Sequence, residues 1–278
     1  MIELLQLPFM QRALIACLFL GVLLAYLGIF VTLRKMAFFS DGVAHAALAG
    51  AAIGLLTRFS PLISALIFSM LLACLIYWLE KKSSLSSDAI IGILFTSGMA
   101  LGIVLISLRK GYQPELLGYL FGNILAIRHQ DLVLIVILAV LILAFIIRHK
   151  RKLTLLALDG EMAYMAGVNP DFYQLLLYVM LACALVLGIR VMGVILVSAI
   201  LIVPVSTARL FSRSFKALTL WTAVIAESVM IGGLLLSYYL NLPSGAVIVL
   251  AGSTIFSLTF IAHSLRRSRL QKGKSPTQ

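Results

Sequence analysis

Long apolar runs alternate with short polar breaks along nearly the whole chain. An apolar run of about 17–25 residues, rising 1.5 Å per residue as a helix, crosses roughly 30 Å of hydrocarbon. Nine runs have that length, at roughly 12–33, 41–57, 61–79, 88–108, 131–148, 172–189, 191–211, 216–240 and 244–264. The pattern predicts an all-α, polytopic membrane protein with eight or nine transmembrane helices. The second run is short. The stretch 112–128 is apolar but interrupted by Pro114, Gly118 and Gly122, which predicts a short helix or re-entrant piece against the bundle. The first run begins near Ala13 behind Arg12, and 28–39 offers no cleavage pattern, so it reads as a retained span and not a removed signal. A single transmembrane domain over 1–265 and a basic, frayed tail over 266–278 follow from this division.

Composition narrows the class. The 278 residues are 62% apolar and 12% charged, with a mean hydropathy of +1.12. Ordinary globular chains carry about twice that share of charge, and a soluble core of this size could not hide so much apolar surface. A soluble enzyme, a secreted disulfide scaffold and a disordered chain are excluded. The net charge of +12 does not point to nucleic acid, because the charges sit in short clusters between apolar runs, as membrane-flanking charges do. With the C-terminus in the cytoplasm and nine alternating spans, the inner loops hold 16 of the 22 Lys and Arg residues; retention of positive loops therefore predicts a cytoplasmic C-terminus. Cys17, Cys74 and Cys183 lie far apart inside apolar stretches and suggest neither disulfides nor a thiolate metal site.

Ionisable groups within spans are costly and few. In Ser40-Asp41-Gly42-Val43-Ala44-His45, Asp41 and His45 stand one helical turn apart on one face. A carboxylate oxygen and an imidazole nitrogen make half of a coordination shell suited to Zn²⁺ or Mn²⁺, and two copies meeting at a two-fold axis would supply two of each. The alternative is structural: Asp41 as a helix N-cap and His45 bonded to a backbone carbonyl. Gly42, Ala46, Gly50 and Gly54 form a small-residue ladder beside the pair that lets another helix approach closely. Asp88 reads as the N-cap of the fourth span. Glu227, mid-span, either lines a path or pairs across helices. In the loop 153–169, Asp159 suits an N-cap, Gly160 and Glu161 the first turn, and Gly167 a C′ position, with Pro170 blocking continuation. A helix of about two turns around 158–168, including Ala163, is predicted outside the membrane, either resting on the interface or docking a cytoplasmic partner. No GxxxxGK[ST], HExxH or GxSG pattern occurs, so the chain itself carries neither an ATP-phosphate cradle nor a recognisable catalytic constellation.

Four segments resemble a known family in order and spacing: Ser40-Asp41-Gly42-Val43-Ala44-His45-Ala46; Asp88-Ala89-Ile90-Ile91-Gly92-Ile93-Leu94-Phe95; the run 115–126, from Glu115 to Ala126; and the run 191–204, from Val191 to Pro204. The chain is similar over nearly its whole length to the ABC-3 permeases, the membrane subunits of bacterial zinc, manganese and iron ABC importers, and most of all to the zinc-uptake members. The resemblance implies a type II ABC importer-like permease fold and a homodimer in the bacterial inner membrane. It implies cytoplasmic ATP-binding subunits and a periplasmic or lipid-anchored metal-binding protein as partners. No resident cofactor is implied, with Zn²⁺ carried as substrate and no enzymatic activity in this subunit. It also implies metal ligation by Asp41 and His45, and ATPase coupling through Asp159, Gly160, Glu161, Ala163 and Gly167. A manganese or iron importer is the alternative within the family, and a secondary metal transporter the alternative outside it.

Overall fold

The structure, a computed structural model, describes residues 7–108 and 127–272, with side chains up to Arg266. Within them the chain forms ten helices: α1 Pro8–Leu33, α2 Phe39–Leu56, α3 Pro61–Lys82, α4 Ser87–Ser107, α5 His129–Leu158, α6 Gly160–Met165, α7 Pro170–Met192, α8 Val194–Arg209, α9 Phe215–Leu240 and α10 Ser244–Lys272. Polar punctuation sets their limits. Pro8, Pro61 and Pro170 stand in first turns, where the missing N–H has no helical acceptor to lose. Ser86, Asn169 and Ser214 cap α4, α7 and α9 through their side-chain oxygens. Asp88, expected as the cap of α4, lies in its first turn instead, because Ser86 takes the Ala89 N–H at 3.3 Å.

Eight of the helices are long and apolar enough to cross a membrane. The run 191–211 behaves differently from a full span. α7 uses its first two residues, Gly193 turns the chain at φ 81°, and α8 is left with 16 residues, about 24 Å. The re-entrant piece expected at 112–128 and the similar run 115–126 lie outside the described residues, apart from Ile127 and Arg128. The last helix continues to Lys272, past the end of the apolar run near 264.

α1, α2, α7 and α8 form the interior, and α3, α4, α5, α9 and α10 surround it. The outer helices keep large apolar side chains exposed, among them Ile103, Leu141 and Leu258, as expected where lipid is the solvent. Helices approach closely where side chains are small. A Cβ on Gly28 of α1 would run into the Leu201 carbonyl of α8. The ladder on α2 divides between two neighbours: Gly42 and Ala46 pack on Ile91 and Gly98 of α4, whereas Gly50 and Gly54 pack on α3 at Ala65 and Pro61. Ion pairs tie opposite ends of α7: Lys81 with Asp171 joins it to α3, and Arg190 with Asp131 at 3.5 Å joins it to α5.

Candidate metal site on the second helix

The residue before α2, Phe38, offers no side-chain cap. Asp41 does not fill that role: its Oδ1 accepts a 2.6 Å hydrogen bond from Ser198 Oγ of α8. His45 Nδ1 lies 2.9 Å from the backbone carbonyl of Asp41. A carbonyl oxygen only accepts, so Nδ1 carries the proton and the lone pair resides on Nε2. The Phe95 ring meets the imidazole edge-on, centroids 4.8 Å apart. The backbone bond expected of a structural histidine is therefore present, and it is also what orients a ligating one.

Between Ser40 and Ala52, the side chains of α2 are buried except at Asp41, His45 and Leu48. These fall at i, i+4 and i+7, a single open stripe on a helix otherwise enclosed. On α8, Ser198, Ile202 and Ser206 are half-buried at steps of four, and the Ser198–Asp41 bond joins the two stripes. One chain thus presents one imidazole nitrogen and one carboxylate oxygen without a hydrogen-bond partner. Among the described residues, no group of three His, Cys, Asp or Glu side chains is placed to hold a metal ion, so a full shell needs donors from elsewhere.

α6 matches its sequence signals. Asp159 Oδ1 accepts from the N–H groups of Glu161 and Met162 at 2.8 and 3.1 Å. At the other end, Gly167 at φ 75° lets its N–H reach Tyr164 O while Val168 N–H reaches Ala163 O, a two-bond C-cap closed over buried Ala163 and Val168. Met162, Tyr164 and Met165 project from it, Met165 with 87% of its surface exposed. Asp159, Gly160, Glu161 and Gly167 are exposed as well.

Glu227 faces α1. A Cβ on Gly21 would strike its Oε1, the Met230 sulfur lies close by, and neither carboxylate oxygen has a hydrogen-bond partner. Sequence reasoning missed Ser198, a hydroxyl within an apolar run, and a polar cluster beneath α2. In that cluster Tyr178 Oη donates to Glu80 Oε2 at 2.7 Å, Gln174 Nε2 donates to the same oxygen at 3.3 Å, and Arg34 lies over the Tyr178 ring. Gln174 and Tyr178, one turn apart on α7, and Glu80 near the end of α3 were the available signal.

Residues 6–263 match the ABC 3 transport family. The chain is 31% identical over 258 residues to the high-affinity zinc uptake system membrane protein ZnuB of Haemophilus influenzae, covering 93% of this chain and 97% of that one. It is 34% identical over 266 residues to the manganese import system permease protein ScaB of Streptococcus gordonii, covering 96% and 95%. Among solved structures, PsaBC from Streptococcus pneumoniae in complex with Fab is similar, with a TM-score of 0.83 and 32% identity over 93% of this chain and 94% of that one.

Proposed function

The chain belongs to the ABC 3 transport family, and on that premise we propose that it is the membrane permease subunit of an ATP-driven metal importer whose cargo is Zn²⁺. The observation that carries this reading is the stripe Asp41–His45–Leu48, where one oxygen and one nitrogen stand uncommitted on the open face of an enclosed helix. The subunit moves an ion and catalyses no bond-making; hydrolysis of ATP belongs to a separate cytoplasmic subunit.

The ion's water shell is the physical obstacle, since a bare or hydrated divalent cation cannot cross hydrocarbon unaided. A metal-binding protein, periplasmic or lipid-anchored, delivers the ion to the outer face. Asp41 and His45 from two copies of the chain then replace part of its water with two oxygens and two nitrogens, a tetrahedral set that suits Zn²⁺. Ligation requires the neutral imidazole and the ionised carboxylate, so protonation of His45 opposes binding. The binding is of moderate strength, because an ion held too tightly would not leave. α6 docks on the ATP-binding subunit through its exposed apolar side chains, and closure of that subunit moves α6 and, through α7, the bundle. The C-terminus lies on the cytoplasmic side with α6.

A second reading, manganese as cargo, is favoured by the manganese permease relative at similar identity and by a carboxylate-containing donor set. Elemental analysis of cells lacking the chain, grown at limiting metal, separates the two. A selective fall in zinc, restored by the intact chain but not by His45→Ala, is expected. A selective fall in manganese moves the cargo and leaves the site in place. Unaltered uptake with His45→Ala or Asp41→Ala removes the site.

A further inference from the structure

We infer that Ser198 is a positioning residue of the metal site, one that holds Asp41 in a single-oxygen binding mode and thereby favours zinc over manganese; the inference rests on the reading of Asp41 and His45 as ligands. The first support is where the hydroxyl points. A serine or threonine in a helix has its own i−4 carbonyl within reach, and Thr207, Thr219, Thr254, Ser257 and Thr259 all turn back to it at 2.7–2.8 Å. Ser198 instead donates out of its helix to Asp41, 157 residues away, at 2.6 Å. A hydroxyl that donates to a carboxylate makes a charge-assisted bond, about twice as strong as a neutral one, and 2.6 Å lies within its range.

The second support is which oxygen it occupies. With Oδ1 engaged by the hydroxyl, Oδ2 is the Asp41 oxygen that carries no hydrogen bond and the one an incoming ion meets at least cost, and His45, one turn on, keeps Nε2 free. Zinc is satisfied by four ligands with one oxygen from each carboxylate. Manganese, an ion suited to carboxylate, carbonyl and water oxygens in six-coordinate sites, gains more from a carboxylate free to bind through both oxygens. Removing the hydroxyl frees Oδ1 and lets the side chain turn. The hydroxyl also comes from α8, which packs on α1, α9 and α10, whereas Asp41 stands on α2 against α3 and α4. The bond therefore spans the two groups of helices, and their relative placement sets how firmly the ligand is held.

The test uses the chain purified in lipid nanodiscs with whatever subunits it retains, titrated separately with Zn²⁺ and Mn²⁺. Substituting a residue that orients a metal ligand typically weakens binding about 10–100-fold, and Ser198→Ala is expected to do so for Zn²⁺ and to narrow the zinc-to-manganese affinity ratio. Ser198→Thr, which keeps the hydroxyl, is expected to preserve both. Wild-type affinity for both ions in Ser198→Ala, or equal damage from Ser198→Thr, overturns the inference. Asp41→Ala separates the two levels: if it abolishes binding while Ser198→Ala changes nothing, only the role of Ser198 falls; if it binds normally, the metal site falls with it.

Discussion

Asp41 and His45 are each held by one bond that leaves a second coordinating atom uncommitted, so charge and geometry at these two positions can be varied separately. Asp41→Asn keeps the volume and an acceptor for Ser198 but removes the negative charge. Metal uptake in cells is expected to be lost while the chain accumulates normally in membranes; uptake at the unsubstituted rate would show that the charge is not needed. Asp159 is the other residue whose role reduces to named bonds. Replacing it with Ala leaves two first-turn N–H groups of α6 without their acceptor, at a cost of about 1 kcal/mol to that helix. ATP-dependent uptake should fall with Asp159→Ala and recover with Asp159→Asn, which can cap. The turn-apart spacing of Asp41 and His45 and the caps of α6 were legible in the sequence because they are local. Ser198 was not, since a bond between positions 157 residues apart leaves no periodic trace. Asp88 was misread for a related reason: Ser86 and Asp88 are both good caps, and only the backbone decides which oxygen meets the free N–H.

Helices in lipid gain little from apolar association, so their contacts depend on how closely backbones approach. Gly28 and Gly92 test this on α1 and α4. A methyl at Gly28 meets the Leu201 backbone carbonyl, which cannot swing aside, whereas a methyl at Gly92 meets nothing within 4 Å. Gly28→Ala is expected to cost about 1–3 kcal/mol by overpacking and to lower the thermal midpoint in detergent, with Gly92→Ala unchanged or slightly higher. Equal midpoints would remove the α1–α8 contact as a source of stability. Span limits were readable wherever a proline, a capping side chain or a basic cluster interrupts the apolar pattern. Between α7 and α8 the limit read at Arg190 falls three residues before the turn, which Gly193 makes inside the apolar run 191–211; hydropathy cannot register a change of direction.

At the scale of the whole molecule, the proposed site gives one chain half of a coordination shell, and the open stripe on α2 is where a second copy would complete it. In a cysteine-free background, Leu48→Cys on that stripe is expected to form an oxidant-dependent crosslink between copies, while a cysteine at Ile103, on the lipid-exposed side of α4, is not. Absence of the Leu48 crosslink with efficient crosslinking at Ile103 would place the two-fold axis on α4. The all-helical architecture was legible because lipid leaves the backbone few other choices; which face a second copy would cover was not, because lipid-facing and copy-facing side chains are alike apolar.

The brevity of α8 has an electrical meaning. Its last turn carries Arg209, with Arg213 four residues beyond, and basic residues favour the aqueous boundary; from there about 24 Å of helix falls roughly 6 Å short of the hydrocarbon thickness. The first amides after Gly193 have no helical acceptors and cannot be left facing lipid. If water reaches them, the insulating layer beside α8 is thinner than the surrounding bilayer, and the membrane voltage drops over a correspondingly shorter distance. A divalent ion travelling along that face would then meet a steeper field over a shorter path, a local focusing of the resting potential that a full-length helix in the same place would not produce.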